Sequence, residues 1–171
     1  MLSLFAPGLW VDSVFDIDLD GLLRRGIRGL VFDLDNTIVR WGTAEVTEEL
    51  KALFVRALSL GFRACILSNN FSGRSQRIAD ELGVKAIGNA MKPSRRGFLR
   101  ALRLMELRPA EVAVVGDQLV TDILGGNRSG MFTILVNPLW KKELAYTRFV
   151  RRIEKAILRR LKAAGRLNDA L

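Results

Sequence analysis

The chain has 171 residues, a length that suits one domain over residues 1–171, and its 49% hydrophobic and 26% charged residues are typical of a folded globular protein. No apolar run approaches the roughly 20 residues of a membrane-spanning helix, and the N-terminal residues lack the pattern of a secretory signal, so we expect a cytoplasmic protein. The net charge is +9, of which residues 141–171 contribute +7. The single cysteine, Cys65, excludes an internal disulfide and lies in an apolar run, which favours a buried thiol.

The first patterned segment, VFDIDLDG at residues 14–21, has an acidic residue at every second position from Asp16. It imitates the opening of a calcium-binding loop, whose twelfth position supplies a bidentate glutamate. Counted from Asp16, that position holds Ile27, and two arginines stand before it, so the calcium interpretation fails. The alternation instead predicts a structural segment with its aspartates in solvent and with Asp20 as the N-cap of a short helix. The residues expected to point inwards are Phe15, Ile17 and Leu19.

The rest of the chain alternates between short apolar runs and longer amphipathic segments. The apolar runs close on polar residues and predict strands; they are RGLVFDLD, FRACILSNN, EVAVVGD and MFTILVNP, with VKAIGN as a weaker fifth. The amphipathic segments between them predict helices over residues 43–60, 73–82, 93–107 and 119–130. This alternation predicts an α/β fold, a doubly wound parallel sheet sandwich with helices on both faces.

The second acidic segment, VFDLDNT at residues 31–37, ends a predicted buried strand. Asp33 and Asp35 stand two positions apart and project to the same side. Because ligands bind beyond the carboxyl ends of parallel strands, we expect further polar residues to gather there. Carboxylates that crowd together repel one another unless a hard divalent cation or a lysine offsets their charge, so we expect Mg²⁺ at this edge. The further residues are Ser68, Lys92, Asp117 and Asp122.

The segments FDLDNT, SNN, KP and GDQLVTDILGGNRSGM, in this order, resemble the four motifs of the haloacid dehalogenase (HAD) superfamily of phosphotransferases. The closer similarity is to subclass IIIA phosphatases of the YqeG-like group, relatives of the phosphatidylglycerophosphate phosphatases. It covers nearly the whole chain, and no motif position is substituted. The resemblance implies a HAD-like, Rossmannoid fold and an enzyme that hydrolyses phosphoric monoesters.

The resemblance also implies roles for the carboxylates. Asp33 would be the nucleophile that forms an aspartyl phosphate, and Asp35 would act first as general acid and then as general base. Mg²⁺ would be held by the Asp33 carboxylate, the Asp35 backbone carbonyl and Asp117, with Asp122 as a ligand or as support.

Phosphate binding is implied for a second group of residues. Ser68 and Lys92 would bind the phosphoryl oxygens and offset their charge in the transition state. Asn36 and Thr37 would shape the turn after the nucleophile and line the substrate site. Asn69 would hold the loop that carries Ser68.

The spacing of the motifs predicts a capless enzyme. Asp33 to Ser68 holds one helix and one strand, and Ser68 to Lys92 holds a helix and a short strand, which leaves no room for a covering domain. An uncovered site favours a large or surface-borne phosphate over a small metabolite. The leading hypothesis is therefore a magnesium-dependent phosphatase acting on phosphatidylglycerophosphate, an anionic phospholipid, at the inner face of the membrane. The alternative substrate is a phosphoprotein, a nucleotide or a nucleic-acid end.

The segment 141–171 predicts a basic amphipathic helix. Two interpretations are open: the helix packs on the domain by its apolar stripe, or it makes peripheral contact with an anionic membrane. A function from another class is an RNA- or ribosome-binding factor that uses this tail, although few aromatic residues are available for base stacking. The sequence indicates neither an oligomeric state nor a partner protein.

Overall fold

A parallel six-stranded sheet forms the centre of the fold in the computed structural model, which describes residues 2–70, 73–140, 154, 156–163 and 165. The strand order is β1-β6-β5-β2-β3-β4. The two neighbouring strands β2 and β5 are buried along their whole length, as expected for a sheet that is covered on both faces. The strands are β1 (Leu9–Val11), β2 (Gly29–Phe32), β3 (Arg63–Leu67), β4 (Lys85–Ile87), β5 (Val112–Gly116) and β6 (Phe132–Val136).

Five α-helices accompany the strands among the described residues, and the four helices predicted between strands are present with different bounds. The helix predicted over 43–60 begins at Glu48 because the Thr47 hydroxyl accepts the Leu50 N–H at 3.2 Å, an N-cap. The segment predicted as a helix over 119–130 begins with a π-helical turn, Leu119–Ile123. The helices are α1 (Leu19–Arg24), α2 (Glu48–Ser59), α3 (Gly73–Glu81), α4 (Arg95–Met105) and α5 (Leu124–Arg128).

The connections between the strands confirm the capless, doubly wound α/β prediction. The chain passes from β2 to β3 through α2, and from β3 to β5 through α3, β4 and α4. All of these elements belong to the sheet or to its covering helices, so the described part of the chain contains no cap domain. The thiol of Cys65 is buried in β3, as predicted, and burial raises its pKa to about 12.

The N-terminal segment, residues 2–11, is rich in apolar side chains and packs on the sheet. Leu9–Val11 forms the edge strand β1, in which Leu9 pairs with Ile134 of β6. The Gly8 N–H donates to the Thr133 carbonyl at 2.8 Å. A Cβ at Gly8 would lie 2.4 Å from the ring of Phe132, so only glycine allows the chain to approach β6 this closely.

The first acidic segment, residues 14–21, is structural, but its details differ from the sequence prediction. It forms a short 3₁₀ turn followed by α1, so its side chains do not alternate as in a strand. Phe15 is therefore 37% exposed, while Ile17 and Leu19 are buried as predicted. Asp18, and not Asp20, caps α1 by accepting the Gly21 N–H at 2.9 Å.

Most of the predicted basic helix over 141–171 lies outside the described residues. Within its described part, residues 156–163 are helical. Ile157 and Leu158 pack against a small apolar cluster that includes Leu119 of the π-helical turn. These residues therefore contact the domain through an apolar face. Among the described residues, no helix is long and apolar enough to cross a membrane.

Candidate active site

The central strands deliver Asp33 and Asp117 to the same edge of the sheet. Phe32 of β2 pairs with Val115 of β5, so the residues that follow the two strands are neighbours. The Asp33 N–H donates to the Val115 carbonyl at 2.9 Å, which extends the ladder by one residue. Asp33 keeps 13% of its side chain exposed, whereas Asp117 is buried. This arrangement offers one reachable carboxylate beside one enclosed carboxylate.

Lys92 forms two short ion pairs at this edge. Its Nζ lies 2.5 Å from Asp33 Oδ1 and 2.6 Å from Asp122 Oδ1, and its side chain is 3% exposed. Burial acts to lower the pKa of Lys92, but the charges of Asp122 and Asp33 outweigh this effect, so the pKa lies above its ordinary value. Lys92 is therefore a fixed positive charge beside Asp33.

Three carboxylates approach one another closely enough to hold a metal ion. Oxygens of Asp33, Asp117 and Asp122 lie within 4.8 Å of each other. Burial raises the pKa of Asp122, Lys92 opposes this rise, and the Asp33 charge adds to it. Three ionised carboxylates and one lysine leave a charge of about −2, which a divalent cation would neutralise. Hard oxygen donors at this spacing fit a divalent metal site.

The π-helical turn and a glycine place Asp122 in this group. The Asp122 Oδ2 atom accepts the Gln118 N–H at 3.2 Å, and its Oδ1 atom accepts from Lys92. A Cβ at Gly116 would lie 2.4 Å from Cβ and Cγ of Asp122, closer than packed carbon atoms come. The missing side chain at Gly116 therefore makes room for the Asp122 carboxylate, and the extra residue of the π turn aims it.

Thr37 bridges the carboxylates from the other side. Its hydroxyl lies 3.2 Å from Asp33 Oδ2 and 3.4 Å from Asp117 Oδ1. Together with Lys92, it fixes the orientation of the Asp33 carboxylate. The sequence interpretation gave Thr37 a place in the turn and in the substrate site, and the structure adds this direct contact with Asp33.

Asn36 and Asn69 hold the loops around the carboxylates. Asn36 adopts a left-handed backbone conformation, φ 64°, and its side-chain oxygen accepts the Trp41 N–H at 3.3 Å. Asn69 bonds the backbone of Lys92 twice, since its Oδ1 accepts the Lys92 N–H at 2.6 Å and its Nδ2 donates to the Lys92 carbonyl at 3.1 Å. Both asparagines therefore support neighbouring loops.

Ser68 lies where the sequence placed it, directly after β3. Its N–H donates to the Ile87 carbonyl at 3.0 Å, and its hydroxyl accepts the Asn70 N–H at 3.2 Å. The side chain is buried. A hydroxyl fixed at a strand end next to β2 is suited to bind an oxygen of a ligand at this edge.

Asp35 has a partner that the sequence reasoning missed. The Arg74 Nη2 atom lies 2.7 Å from Asp35 Oδ1 and 2.8 Å from Oδ2. Both side chains are largely buried. A signal was present in the sequence, because an arginine in the first turn of a predicted helix opposes the helix dipole and calls for another reason to be there.

Comparison with known proteins agrees with this geometry. A family model described as haloacid dehalogenase-like hydrolase matches residues 16–130. The chain is 40% identical over 163 residues to "Probable phosphatase YqeG" of Bacillus subtilis, covering 95% of both chains. It is 28% identical over 164 residues to "Phosphatidylglycerophosphate phosphatase 1, chloroplastic/mitochondrial" of Arabidopsis thaliana, covering 90% of this chain and 47% of that protein.

The fold is likewise shared with solved structures. A HAD phosphatase from Thermococcus onnurineus superposes with a TM-score of 0.51 at 15% identity, over 70% of this chain and 90% of that one. Identity at this level supports the fold alone, but the family model and the Bacillus relative cover most of the chain. The chain therefore belongs to the haloacid dehalogenase-like hydrolase family, and it is related to the phosphatases of that family.

Proposed function

We propose that this enzyme is a magnesium-dependent phosphomonoester hydrolase that works through an aspartyl phosphate on Asp33, with phosphatidylglycerophosphate as its substrate. The observation that carries the chemistry is the position of Asp33. Its carboxylate is reachable from outside, is held by Lys92 and Thr37, and stands beside Asp117 and Asp122. This combination pairs a nucleophile with positive charge to offset that of a phosphoryl group.

The first step forms the covalent intermediate. One oxygen of Asp33 attacks phosphorus, a new P–O bond forms, and the bond from phosphorus to the ester oxygen breaks. Asp35 enters this step as the protonated carboxylic acid and gives its proton to the departing oxygen, which leaves as an alcohol. Lys92 stays beside Asp33 and, with Ser68, binds the equatorial phosphoryl oxygens, where charge accumulates.

The second step regenerates the enzyme. Asp35, now a carboxylate, takes a proton from water, and the water oxygen attacks the phosphorus of the aspartyl phosphate. The P–O bond to Asp33 breaks, inorganic phosphate leaves, and Asp35 holds a proton for the next cycle.

Mg²⁺ fits the carboxylate group described above and, when bound, supplies positive charge close to the transferred phosphoryl group. Asp33, Asp117 and the Asp35 carbonyl would hold it, with Asp122 as a further ligand or as support. The net charge of about −2 on Asp33, Asp117, Asp122 and Lys92 is the observation in favour of a divalent ion.

The surroundings of the site favour a lipid substrate over a small metabolite. No cap covers the site in the described chain, and three exposed apolar residues, here called the apolar rim, lie beside Asn36, the residue that follows Asp35. Asn36 joins two members of the rim, because its carbonyl accepts the Leu139 N–H at 2.9 Å and its side-chain oxygen accepts the Trp41 N–H at 3.3 Å. Aromatic side chains beside cationic groups are suited to the interface of an anionic membrane. The rim consists of Trp41, Leu139 and Trp140, with Arg40 stacked 5.1 Å over the Trp140 ring.

Two further considerations support this substrate. Two relatives are named as phosphatidylglycerophosphate phosphatases, at 28% and 31% identity. The net charge of +9 also favours approach to an anionic surface. We therefore place the enzyme at the inner face of the membrane, with the basic segment 141–171 as a second contact.

The substrate is tested by phosphate release from the purified protein with Mg²⁺. Phosphatidylglycerophosphate in mixed micelles is compared with a panel of soluble phosphomonoesters that includes nucleotides and phosphopeptides. We expect a strong preference for the lipid and no release by Asp33→Asn. Equal or greater turnover of a soluble ester would reject the lipid, and release that persists in Asp33→Asn would reject the nucleophile.

Membrane contact is tested by co-sedimentation with vesicles that contain an anionic phospholipid, with zwitterionic vesicles as reference. Replacement of Trp41 and Trp140 by serine should weaken the binding. Val55→Ser is the matched control, because Val55 is 67% exposed on α2 and lies outside the rim. Binding that is equally strong in all three proteins would show that the rim makes no contact with lipid.

A further inference from the structure

Arg74 connects three segments around the site. Its Nη2 atom reaches both oxygens of Asp35, at 2.7 and 2.8 Å, and its Nη1 atom donates to the Thr43 carbonyl at 2.6 Å. Asp35 follows β2, Thr43 precedes α2, and Arg74 stands in the first turn of α3. One guanidinium group therefore ties α3 to two points of the loop between β2 and α2, Asp35 and Thr43.

The local structure of α3 does not favour an arginine at position 74. A positive charge in the first turn of a helix is unfavourable, because the helix N-terminus is itself positive. No acidic residue in the first turn of α3 offsets it. Among the described residues, the favourable interactions of Arg74 are those with Asp35 and Thr43, which point to a role at the site.

These contacts fix both the position and the orientation of the Asp35 carboxylate. A guanidinium group is planar and presents its donors in a rigid fork, so the bond to the Thr43 carbonyl also orients the donor that faces Asp35. The N–H of Gly42, the residue before Thr43, also lies 3.4 Å from Asp35 Oδ1. Exposures of 21% for the Arg74 side chain and 15% for the Asp35 side chain show that water competes little for these bonds.

We propose that Arg74 is a positioning residue for Asp35. It holds the Asp35 side chain in the direction from which its acid form gives a proton to the leaving oxygen and its carboxylate form then takes one from water. This inference rests on the proposed function, since it assumes that Asp35 is the general acid and base. Proton transfer requires that donor and acceptor are aligned within hydrogen-bond distance. If the Asp35 side chain were free to turn, this alignment would be lost, and the reaction would be slower although the substrate still binds equally well.

The experiment compares Arg74→Ala, Arg74→Lys, Asp35→Asn and the double variant Arg74→Ala/Asp35→Asn in phosphate release. We expect Arg74→Ala to lower kcat roughly 10- to 100-fold and to leave KM within about threefold. Arg74→Lys should recover part of the loss, because an ammonium group can reach Asp35 but lacks the fork that also binds Thr43. The double variant should be no slower than Asp35→Asn, because both substitutions remove the same function, proton transfer by Asp35.

Arg56→Ala is the matched control. Arg56 also pairs with an aspartate that is distant in sequence, since its Nη2 atom lies 3.0 Å from Asp20 Oδ2, but this pair lies outside the site. We expect an unchanged kcat. Thermal unfolding of every variant separates loss of fold from loss of rate, and the rates are compared per folded molecule.

The outcomes separate this proposal from the proposed function. If the wild-type protein shows no turnover that Asp33→Asn abolishes, both the proposed function and the role of Arg74 are wrong. Asp33-dependent turnover with Arg74→Ala at the wild-type rate would overturn the role of Arg74 alone. A raised KM at unchanged kcat would instead make Arg74 a ligand of the substrate phosphate, and losses that multiply in the double variant would show that Arg74 acts independently of Asp35.

Discussion

The two acidic segments, residues 14–21 and 31–37, have almost the same sequence but lie in different surroundings. In the first, Asp16 accepts from Ser13, Asp18 caps α1, and Asp20 pairs with Arg56 on the surface. In the second, Asp33 meets a buried lysine, a threonine and two further carboxylates. An alternating Asp pattern therefore becomes a reactive site only through the residues that surround it.

The sheet explains this difference. β2 lies between β3 and β5, so its carboxyl end faces the residues that follow two other strands. The first segment forms a 3₁₀ turn and a helix start and has no such neighbours on a ladder. Its aspartates therefore satisfy nearby N–H groups and surface arginines.

The largest expected contrast is in activity. Asp33→Asn keeps the shape of the side chain but removes the nucleophilic charge, so phosphate release should fall on the order of a thousandfold or more. Asp16→Asn changes the equivalent position of the first segment and should leave kcat within about twofold, since no reaction step involves it. Equal losses in the two variants, measured per folded molecule, would contradict the distinction between the segments.

Metal binding should distinguish the segments in the same way. We expect chelation of divalent ions to abolish activity and Mg²⁺ to restore it. Mg²⁺ at 100 times its dissociation constant should stabilise the folded protein by about 2.7 kcal/mol. Thermal unfolding with and without Mg²⁺ measures this gain, which should vanish in Asp117→Asn and persist in Asp18→Asn. A gain that vanishes in Asp18→Asn would place the ion in the first segment.

Glycines in the two regions offer a finer comparison. Gly116→Ala would place a Cβ 2.4 Å from the buried Asp122, which Lys92 holds in place, so unfolding should become easier by about 1–3 kcal/mol. A Cβ at Gly21 would meet a carboxylate oxygen of Asp18 at 2.3 Å, but that side chain lies at the surface and can turn away. Urea unfolding should therefore show a smaller cost for Gly21→Ala. A larger cost at Gly21 would reveal that the first segment is the more tightly constrained.

The smallest effect should come from the cap of α1. Asp18→Ala removes the acceptor of the Gly21 N–H and should lower the free energy of unfolding by about 0.5–2 kcal/mol. The activity of the folded molecules should stay unchanged. Asp20→Ala is the control and should cost less, because the side-chain contact of Asp20 in the described part of the chain is an exposed ion pair with Arg56. The reverse order would support Asp20 as the cap, as the sequence first indicated.

Much of the sheet could be predicted because buried parallel strands are continuous apolar runs. Strand β1 escaped prediction since three residues carry too little pattern, and its place depends on contact with β6, a partner more than 120 residues away. The cap was assigned to Asp20 because an alternating pattern suggests a strand, whereas the segment turns two residues earlier.

From the sequence, the site could be predicted only as a group of residues that follow the carboxyl ends of the strands. Their order along the chain indicated that Asp33, Ser68 and Asp117 meet at one edge. The position of Arg74 in the first turn of a helix suggests that it has a partner, but no spacing in the sequence identifies that partner as Asp35. The π turn that aims Asp122 was likewise invisible, because its sequence is that of an ordinary helix.

The side chain of Asn69 acts as if it were one residue of a neighbouring strand. It accepts from the N–H and donates to the carbonyl of Lys92, the two bonds that a sheet would provide. The Lys92 amide should therefore exchange with deuterium slowly although it lies outside every strand, and its protection should follow that of β3. The ammonium group beside Asp33 is thus anchored through its main chain, and it can leave its place only when this corner of the sheet opens.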